Sequence, residues 1–336
     1  MITDTPTSGT NLFGGLDVRI DPWQVEYGTE LPLQQSDEDT TEQVILDLEV
    51  PLDAWKPVEP GSAASASRVV FVDGVRRIEA RLIVRHGDRV CHGAFGSYAV
   101  GCVDVTAGTA VCAECRVDRV AVIGAGRCLP VPVTVAPGLV YRPITTAETD
   151  PDGPLAAIQD EMRTAEERLA RALADTADTL VVADGPLTFQ DPVRGSAVGY
   201  IKRLFQLYLP ATMLGLLASL PPASRTPIFA LRSTRRFARY SWFLRLGPSR
   251  RGESDLAGIV RLEVPEAVGL DTARGLADST AALLPRFTPG RGRDPRSPQN
   301  LLPIGALEAQ LRRRLGDARL IRRQIESLIA QEVSRG

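Results

Sequence analysis

The sequence predicts an α/β fold: a mixed sheet core flanked by helices, with a β-rich subdomain or insertion. Short apolar runs bounded by turn residues recur along the chain, as in Arg68–Gly74 and Leu180–Gly185, and such runs are typical of buried strands. Strand-like segments fill the first part of the chain, and helical periodicity becomes visible only from about residue 153. With 336 residues, of which 44% are apolar and 24% charged, the chain can bury a sizeable core.

Composition and charge exclude several classes of protein. No apolar run reaches the roughly 18 residues of a membrane-spanning helix, and the first ten residues lack the basic and apolar regions of a secretory signal. Five cysteines are an odd number in a chain without an export signal, which favours a reduced cytoplasmic protein. The formal net charge is −2, so contact with nucleic acid must depend on local clusters of basic residues.

Residues 1–65 differ from the rest of the chain in composition. They are rich in Pro, Ser, Thr, Asp and Glu and end in the small-residue stretch PGSAASAS, so we interpret them as an extended N-terminal arm and linker. The expected docking points of the arm are Trp23, residues 44–46 and Trp55. The core domain is predicted over 66–335, with a strand meander that forms a β-rich subdomain at about 85–150.

Helices and strands mix in the second half of the core domain. A first amphipathic helix is predicted over 153–175, where apolar residues recur at spacings of three and four. The later elements are predicted as a strand at 180–185, helices at 197–209 and 211–219, strands at 227–231, 240–246 and 259–264, and helices at 271–284, 303–315 and 318–333.

Familiar catalytic motifs are absent from the sequence. There is no GxxxxGK[ST] phosphate-binding loop, and Gly124-Ala-Gly126 lacks the third glycine of a dinucleotide fingerprint. With only His86 and His92, there is little material for a Ser-His-Asp or Cys-His triad. The chain by itself is therefore neither a P-loop ATPase nor an enzyme of these covalent classes.

Two similar segments carry the strongest chemical signal. Phe71-Val-Asp73-Gly and Val182-Ala-Asp184-Gly are both apolar strands that end in aspartate. The carboxyl ends of strands line the ligand crevice of an α/β sheet, so Asp73 and Asp184 could converge on one divalent cation. The alternative is that each Asp-Gly pair is simply a turn.

Glu166 lies on the predicted helix 153–175, at the margin of its apolar stripe and about 40° from Met162 on a helical wheel. Glu161 and Glu167 point away from the stripe. A carboxylate held against a core is unfavourable unless it is paired or bound to a metal. Asp73, Glu166 and Asp184 then form an oxygen-ligand set suited to Mg²⁺ or Mn²⁺, whereas the alternative for Glu166 is an ion pair with an arginine of the sheet.

A basic segment with interleaved aromatic residues extends from Arg225 to Arg261. It has nine arginines against two acidic residues, a composition typical of a single-strand channel in which cations follow phosphates and rings stack on bases. The expected nucleic-acid contacts are Arg235, Arg236, Arg239, Tyr240 and Trp242. In the alternative, the aromatic residues belong to the core and the arginines form a solvated rim.

The cysteines allow a minor zinc hypothesis. Cys112-x-x-Cys115 has ligand spacing, but a second CxxC pair is missing and the other spacings are irregular. Buried thiols in a β-rich region are the preferred interpretation.

Over roughly residues 65–330 the sequence resembles the NurA nuclease family. The resemblance rests on FVDGVRR at 71–77, EMRTAEERLA leading to LVVADGPL, GYIKR at 199–203, RTPIFALRS at 225–233, RYSWFLRL at 239–246 and DPRSPQNLLPIGALE at 294–308. It implies an RNase H-like core, a Mn²⁺ or Mg²⁺ site at Asp73, Glu166 and Asp184, and a position near the DNA backbone for Tyr200, Lys202 and Arg203.

The resemblance also implies a function. The expectation is a DNA nuclease, 5′ to 3′ exonuclease with single-strand endonuclease activity, that forms a homodimer and acts with a HerA-like hexameric ATPase in DNA end processing. The family often has a histidine in the C-terminal proline-containing segment, and here Asn300 or Glu308 takes its place. The alternatives are an inactive DNA-binding adaptor subunit and a nuclease that acts on RNA.

Overall fold

The computed structural model describes residues 12–21, 42–61, 66–190, 193, 195–234, 236–249, 252–290 and 296–335. Its strands are β1 (Asp17–Ile20), β2 (Gln43–Ile45), β3 (Arg68–His86), β4 (Arg89–Thr106), β5 (Thr109–Ile123), β6 (Val133–Ala136), β7 (Leu139–Thr145), β8 (Thr179–Asp184), β9 (Ser196–Ile201), β10 (Phe229–Arg232), β11 (Arg239–Arg245) and β12 (Ile259–Pro265). Its α-helices are α1 (Gly153–Ala174), α2 (Leu214–Ala218), α3 (Leu270–Leu283), α4 (Leu302–Arg314) and α5 (Ala318–Arg335).

These strands form one mixed sheet in the order β2-β10-β11-β12-β9-β8-β3-β4-β5-β7-β6, and β1 pairs with β3. Strands β3, β4 and β5 are an antiparallel meander. After α1, strands β8 and β9 return parallel to β3. The expected fold class, a mixed sheet flanked by helices, is confirmed, and the meander at 85–150 continues the main sheet without a break.

Helices cover both faces of the central strands. Helix α1 buries Leu155, Ile158 and Met162 against one face of the meander. Helix α4 buries Leu307 and Leu311 against the other face, and α3 packs beside it on the same side of the sheet. Because successive side chains of a strand point to opposite faces, residues in the middle of β3 alternate between the face covered by α1 and the face covered by α4.

Two predicted helices differ from the structure. Residues 197–209 were expected to be helical, but Ser196–Ile201 form β9, a central strand between β8 and β12 that is buried on both faces. Such a strand is a continuous apolar run, whose periodicity does not distinguish it from a buried helix. Of residues 211–219, only Leu214–Ala218 form an α-helix, after one 3₁₀ turn.

The N-terminal arm joins the sheet at two places. Strand β1 pairs with β3, and β2 pairs with β10 at the far edge. Trp55 is buried and packs against Phe229, whereas Trp23 lies outside the described residues. Among the described residues, no helix is long and apolar enough to cross a membrane.

Candidate metal centre

Asp73 and Asp184 are brought side by side by the pairing of β3 with β8. The two strands are parallel and Val72 is paired with Ala183, so the next residue of each strand is an aspartate. Alternation places Asp73 on the face of Val75, which packs against α4. Strand β8 ends at Asp184, and both carboxylates therefore lie where the sheet opens beyond that strand.

Glu308 of α4 completes the group. Leu307 and Leu311 anchor this helix on the sheet, and Glu308, 8% exposed, points toward the two aspartates. One carboxylate oxygen from each of Asp73, Asp184 and Glu308 lies within 4.8 Å of the others. Sequence reasoning reached Glu308 only as one of two substitutes for a missing histidine, because the spacing along α4 does not indicate which strand residues it faces.

One oxygen of Asp73 has no partner. Its Oδ1 accepts a hydrogen bond from the Gly74 amide at 2.8 Å, but its Oδ2 is buried without a hydrogen bond. Burial, followed by the charges of Asp184 and Glu166, raises the pKa of Asp73 well above its usual range. An unpartnered buried carboxylate oxygen among other carboxylates fits a hard divalent cation such as Mg²⁺ or Mn²⁺.

Lys202 lies inside the acidic group. Its Nζ is 2.6 Å from Asp184 Oδ2 and 3.6 Å from Glu308 Oε1, and it donates to Asn300 Oδ1 at 3.1 Å. Burial would lower its pKa, but the carboxylates of Asp184 and Asp73 more than offset this, so the pKa is raised and the ammonium stays charged. The sequence resemblance placed Lys202 near the DNA backbone, whereas the structure places it among the carboxylates.

Arg296 and Asn300 support this arrangement from the segment before α4. The Arg296 guanidinium donates to both oxygens of Glu308, at 3.1 and 2.9 Å. Asn300 is 1% exposed and holds Lys202 through its amide oxygen. The sequence did not predict that Arg296 binds Glu308 or that Asn300 binds Lys202. The resemblance suggested Asn300 only as a metal ligand.

Glu166 lies next to the group but approaches from α1, on the opposite face of the sheet. A Cβ added at Gly74 would collide with its carboxylate, so the absence of a side chain at Gly74 makes room for it. Burial and the charge of Asp184 raise the pKa of Glu166 to about 8, although Arg163 lowers it. Glu166 faces the sheet as predicted, but the group that can share an ion contains Glu308 in its place.

Tyr200 is not available to nucleic acid. It is fully buried on β9, and its hydroxyl donates to the Gln299 carbonyl at 2.6 Å. The neighbouring Arg203 is exposed beyond the end of β9. Of the family-implied backbone contacts, Arg203 is therefore the one that the structure leaves at the surface.

The single-strand channel predicted between Arg225 and Arg261 is wrong for the residues that the structure describes. Arg239 is 1% exposed and pairs with Glu263 and Glu42. Tyr240 and Trp242 are buried in the core, and Arg236 is half-buried against the Leu187 carbonyl. Arg235 lies outside the described residues.

Two further arginines of this segment, Arg225 and Arg245, are structural as well. Arg225 is 1% exposed and pairs with Glu49 and Asp278, and Arg245 donates to backbone carbonyls such as Leu217 O. Acidic residues of the N-terminal arm thus neutralise arginines of the sheet. The sequence did not indicate this, because the partners are about 180 residues apart along the chain.

The cysteines form no metal site within the described part of the chain. All five are free thiols, and the group of acidic, histidine or cysteine residues able to share an ion is Asp73, Asp184 and Glu308. Burial raises the pKa of the Cys102 thiol. Cys91 and Cys102 are buried as expected, whereas Cys112 and Cys115 are partly exposed and Cys128 is exposed.

The solved structures that are similar to this chain include two enzymes. One is the crystal structure of the NurA nuclease from Sulfolobus solfataricus, with a TM-score of 0.49 and 10% identity, covering 91% of this chain and 93% of that chain. The other is the catalytic domain of human endonuclease V, with a TM-score of 0.30 and 17% identity, covering 77% of this chain and 92% of that chain. No protein-family model and no curated protein sequence matches the chain.

Proposed function

We propose that the protein is a metal-dependent nuclease whose metal ligands are Asp73, Asp184 and Glu308. The observation that carries this proposal is the buried, unpartnered Oδ2 of Asp73 within a group of three carboxylates that can share one ion. Hard oxygen ligands of this kind are used for Mg²⁺ or Mn²⁺ in phosphodiester hydrolysis. The group lies at the end of β8, where α/β sheets bind their ligands.

When bound, a divalent ion would polarise the scissile phosphate and activate water. The residues of the chain provide the surroundings. Asp73 and Asp184 come from adjacent strands of a rigid sheet, which fixes their separation, and Lys202 adds a fixed positive charge that opposes the charge developing on phosphate. Glu166 is a candidate proton acceptor, because its pKa of about 8 allows it to exchange protons near neutral pH.

The substrate that we propose is DNA, cut by 5′ to 3′ exonuclease and single-strand endonuclease activity. The resemblance of the sequence to the NurA family supports this choice. Because most of the described arginines in the basic segment at 225–261 are buried, we place the backbone contacts at exposed arginines beside the metal centre: Arg203, Arg296 and Arg312. Arg296 and Arg312 both approach Glu308, so phosphates bound there would lie next to the carboxylates.

A test of the proposal uses end-labelled single- and double-stranded DNA, with RNA as a competitor, in Mn²⁺, Mg²⁺ or EDTA. Asp73→Asn and Asp184→Asn should each reduce Mn²⁺-dependent cleavage at least about 100-fold, since each removes a charge worth several kcal/mol at the metal. The matched control is Asp178→Asn, an exposed aspartate at φ 55°, a conformation that asparagine tolerates. Cleavage that survives both substitutions would refute the site, and preferential cleavage of RNA would change the substrate.

We further propose that a HerA-like hexameric ATPase supplies movement along DNA, that the N-terminal arm docks on it and that the protein acts as a homodimer. The lack of a phosphate-binding loop supports the need for a motor. Glu42 and β2 belong to the folded sheet, so deleting them would disturb the fold. The docking role is therefore tested by replacing only residues 22–41 with a Gly-Ser linker of equal length. This variant should cut short single strands normally but lose co-purification with the ATPase, and unchanged binding of the ATPase would refute the docking role.

A further inference from the structure

Positive side chains bound to the carboxylates limit how many metal ions this group can hold. Asp73, Asp184 and Glu308 form the ligand group, and Glu166 is close enough to raise the pKa of Asp73. Lys202 and Arg296 are already bound to this group, and Arg312 lies 4.0 Å from Glu308. Positive side chains therefore occupy part of the space around the carboxylates that a second ion would need.

The position of Lys202 adds a geometric reason. Its ammonium lies 2.6 Å from Asp184 and 3.6 Å from Glu308, so it contacts the two carboxylates that a second ion would have to share. Asp73 Oδ2 is the oxygen of the group that is buried without a hydrogen bond. The open coordination is therefore on the Asp73 side, whereas the lysine occupies the space between Asp184 and Glu308.

Lys202 is held in this place by more than its charge. Asn300, 1% exposed, accepts its third contact at 3.1 Å, and the Lys202 side chain is 20% exposed. Strand β9 ends at Ile201, directly before it, which anchors the backbone in the sheet. An ammonium fixed by a strand end, an amide and two carboxylates is a built feature of the site, unlike a surface lysine.

From this geometry we infer that Lys202 is the fixed second cation of the metal centre, and that the protein binds one divalent ion per chain where two-metal nucleases bind two. This inference rests on the proposed metal centre. In two-metal sites the ions lie about 4 Å apart and clamp both sides of the phosphate. Here Lys202 provides the second positive charge, as a positioning group whose location does not depend on ion concentration.

The experiment is a titration of the purified full chain with Mn²⁺ in the absence of DNA. Isothermal calorimetry and equilibrium dialysis both measure the number of ions bound. The wild type should bind one ion per chain. Lys202→Gln should bind two ions, because a cation has left the space between Asp184 and Glu308, and its first ion should bind about tenfold more tightly. Lys202→Arg keeps the charge and should still bind one, and Arg89→Gln, at an exposed arginine of the β3–β4 turn, is the control for a general loss of positive charge.

Each result of the titration has a defined meaning. No binding to the wild type would refute the proposed metal centre itself. Two ions in the wild type would overturn the role of Lys202 and leave the nuclease proposal standing, and this outcome needs no variant. One ion with unchanged affinity in a folded Lys202→Gln protein, with folding checked by circular dichroism, would also overturn the role.

Discussion

Glu166 and Asp73 are close enough to influence each other electrostatically. The Asp73 side chain nevertheless lies on one face of the sheet, and Glu166 of α1 reaches it from the other face. Gly74 makes this possible, since a side chain there would occupy the space of the Glu166 carboxylate. Burial raises the pKa values of both acids. The metal-free site therefore favours protonated carboxyls, and binding of a divalent ion should release protons.

This electrostatic coupling predicts how stability depends on pH in EDTA. The pKa of Glu166 is about 8 in the folded state against 4.5 as its ordinary value. Since the folded pKa is raised, the contribution of Glu166 is most favourable below about pH 4.5 and is lost as the pH rises through 8. Glu166→Gln should therefore lose less stability than the wild type between pH 6 and 8.5.

The measurement for Glu166 is thermal unfolding of both proteins at the two pH values, with Glu167→Gln as the control on the same helix. Glu166→Gln and the wild type should differ more at pH 8.5 than at pH 6. If the three proteins show the same dependence on pH, the raised pKa of Glu166 is wrong.

At the scale of elements, glycines of the meander set how closely the helices approach. A Cβ added at Gly101 would lie 2.5 Å from the Glu114 carbonyl and 3.1 Å from Leu311 of α4. At Gly74 the obstacle is the carboxylate end of Glu166, which can rotate away. Gly101→Ala should therefore destabilise the protein by about 1–3 kcal/mol, because a backbone carbonyl cannot move aside.

Gly74→Ala is the comparison for Gly101→Ala and should have the smaller effect on stability but the larger effect on the pH profile, since it displaces Glu166. Urea unfolding measures the first effect, and unfolding at pH 6 and 8.5 measures the second. Equal destabilisation by the two substitutions would show that the Glu114 carbonyl does not restrict the space at Gly101.

The arm and the sheet are joined by buried ion pairs. Glu49 accepts two hydrogen bonds from the Arg225 guanidinium at 2.9 Å and one from the Ile228 amide at 2.7 Å. Burial would raise the pKa of Glu49, but Arg225, the Ile228 amide and Arg274 together more than offset this and the pKa is lowered. Glu49→Gln should destabilise the protein by about 3 kcal/mol, because it leaves a buried guanidinium short of a partner.

Chemical denaturation of Glu49→Gln beside Glu59→Gln, an exposed glutamate of the same segment, separates this effect from a general loss of charge. The stabilisation from Glu49 should also be lost as the pH falls below its ordinary value of 4.5, since a lowered folded pKa stabilises only when the group is ionised. A Glu49→Gln protein as stable as the control would mean that the ion pair with Asp278 alone is sufficient to stabilise the buried Arg225 guanidinium.

For the whole molecule, the position of exposed positive charge predicts the path of DNA. Replacing Arg203 and Arg312 by Gln should weaken single-strand binding and flatten its salt dependence by about two counterions, because two phosphate contacts are lost. Arg89 is an exposed control at the β3–β4 turn, about 40 Å along the meander from the site. Fluorescence anisotropy between 50 and 200 mM salt measures the slope of affinity against salt concentration. If Arg89→Gln changes this slope equally, the proposed DNA contacts at Arg203 and Arg312 are wrong.

The sequence by itself determined the elements and the two aspartates. Apolar runs before Asp-Gly located the start of β3 and the whole of β8, although β3 does not end at Asp73 as predicted but continues to His86. Most later helices and strands fall close to their predicted bounds, because burial patterns are local properties of the chain. Only the tertiary structure decided which charges meet. Glu308, Lys202 and Asp184 lie far apart in sequence, as do Arg225 and Glu49. An arginine or lysine has the same local pattern whether it faces solvent, DNA or a buried carboxylate, and only the order of strands and the faces covered by helices distinguish these cases.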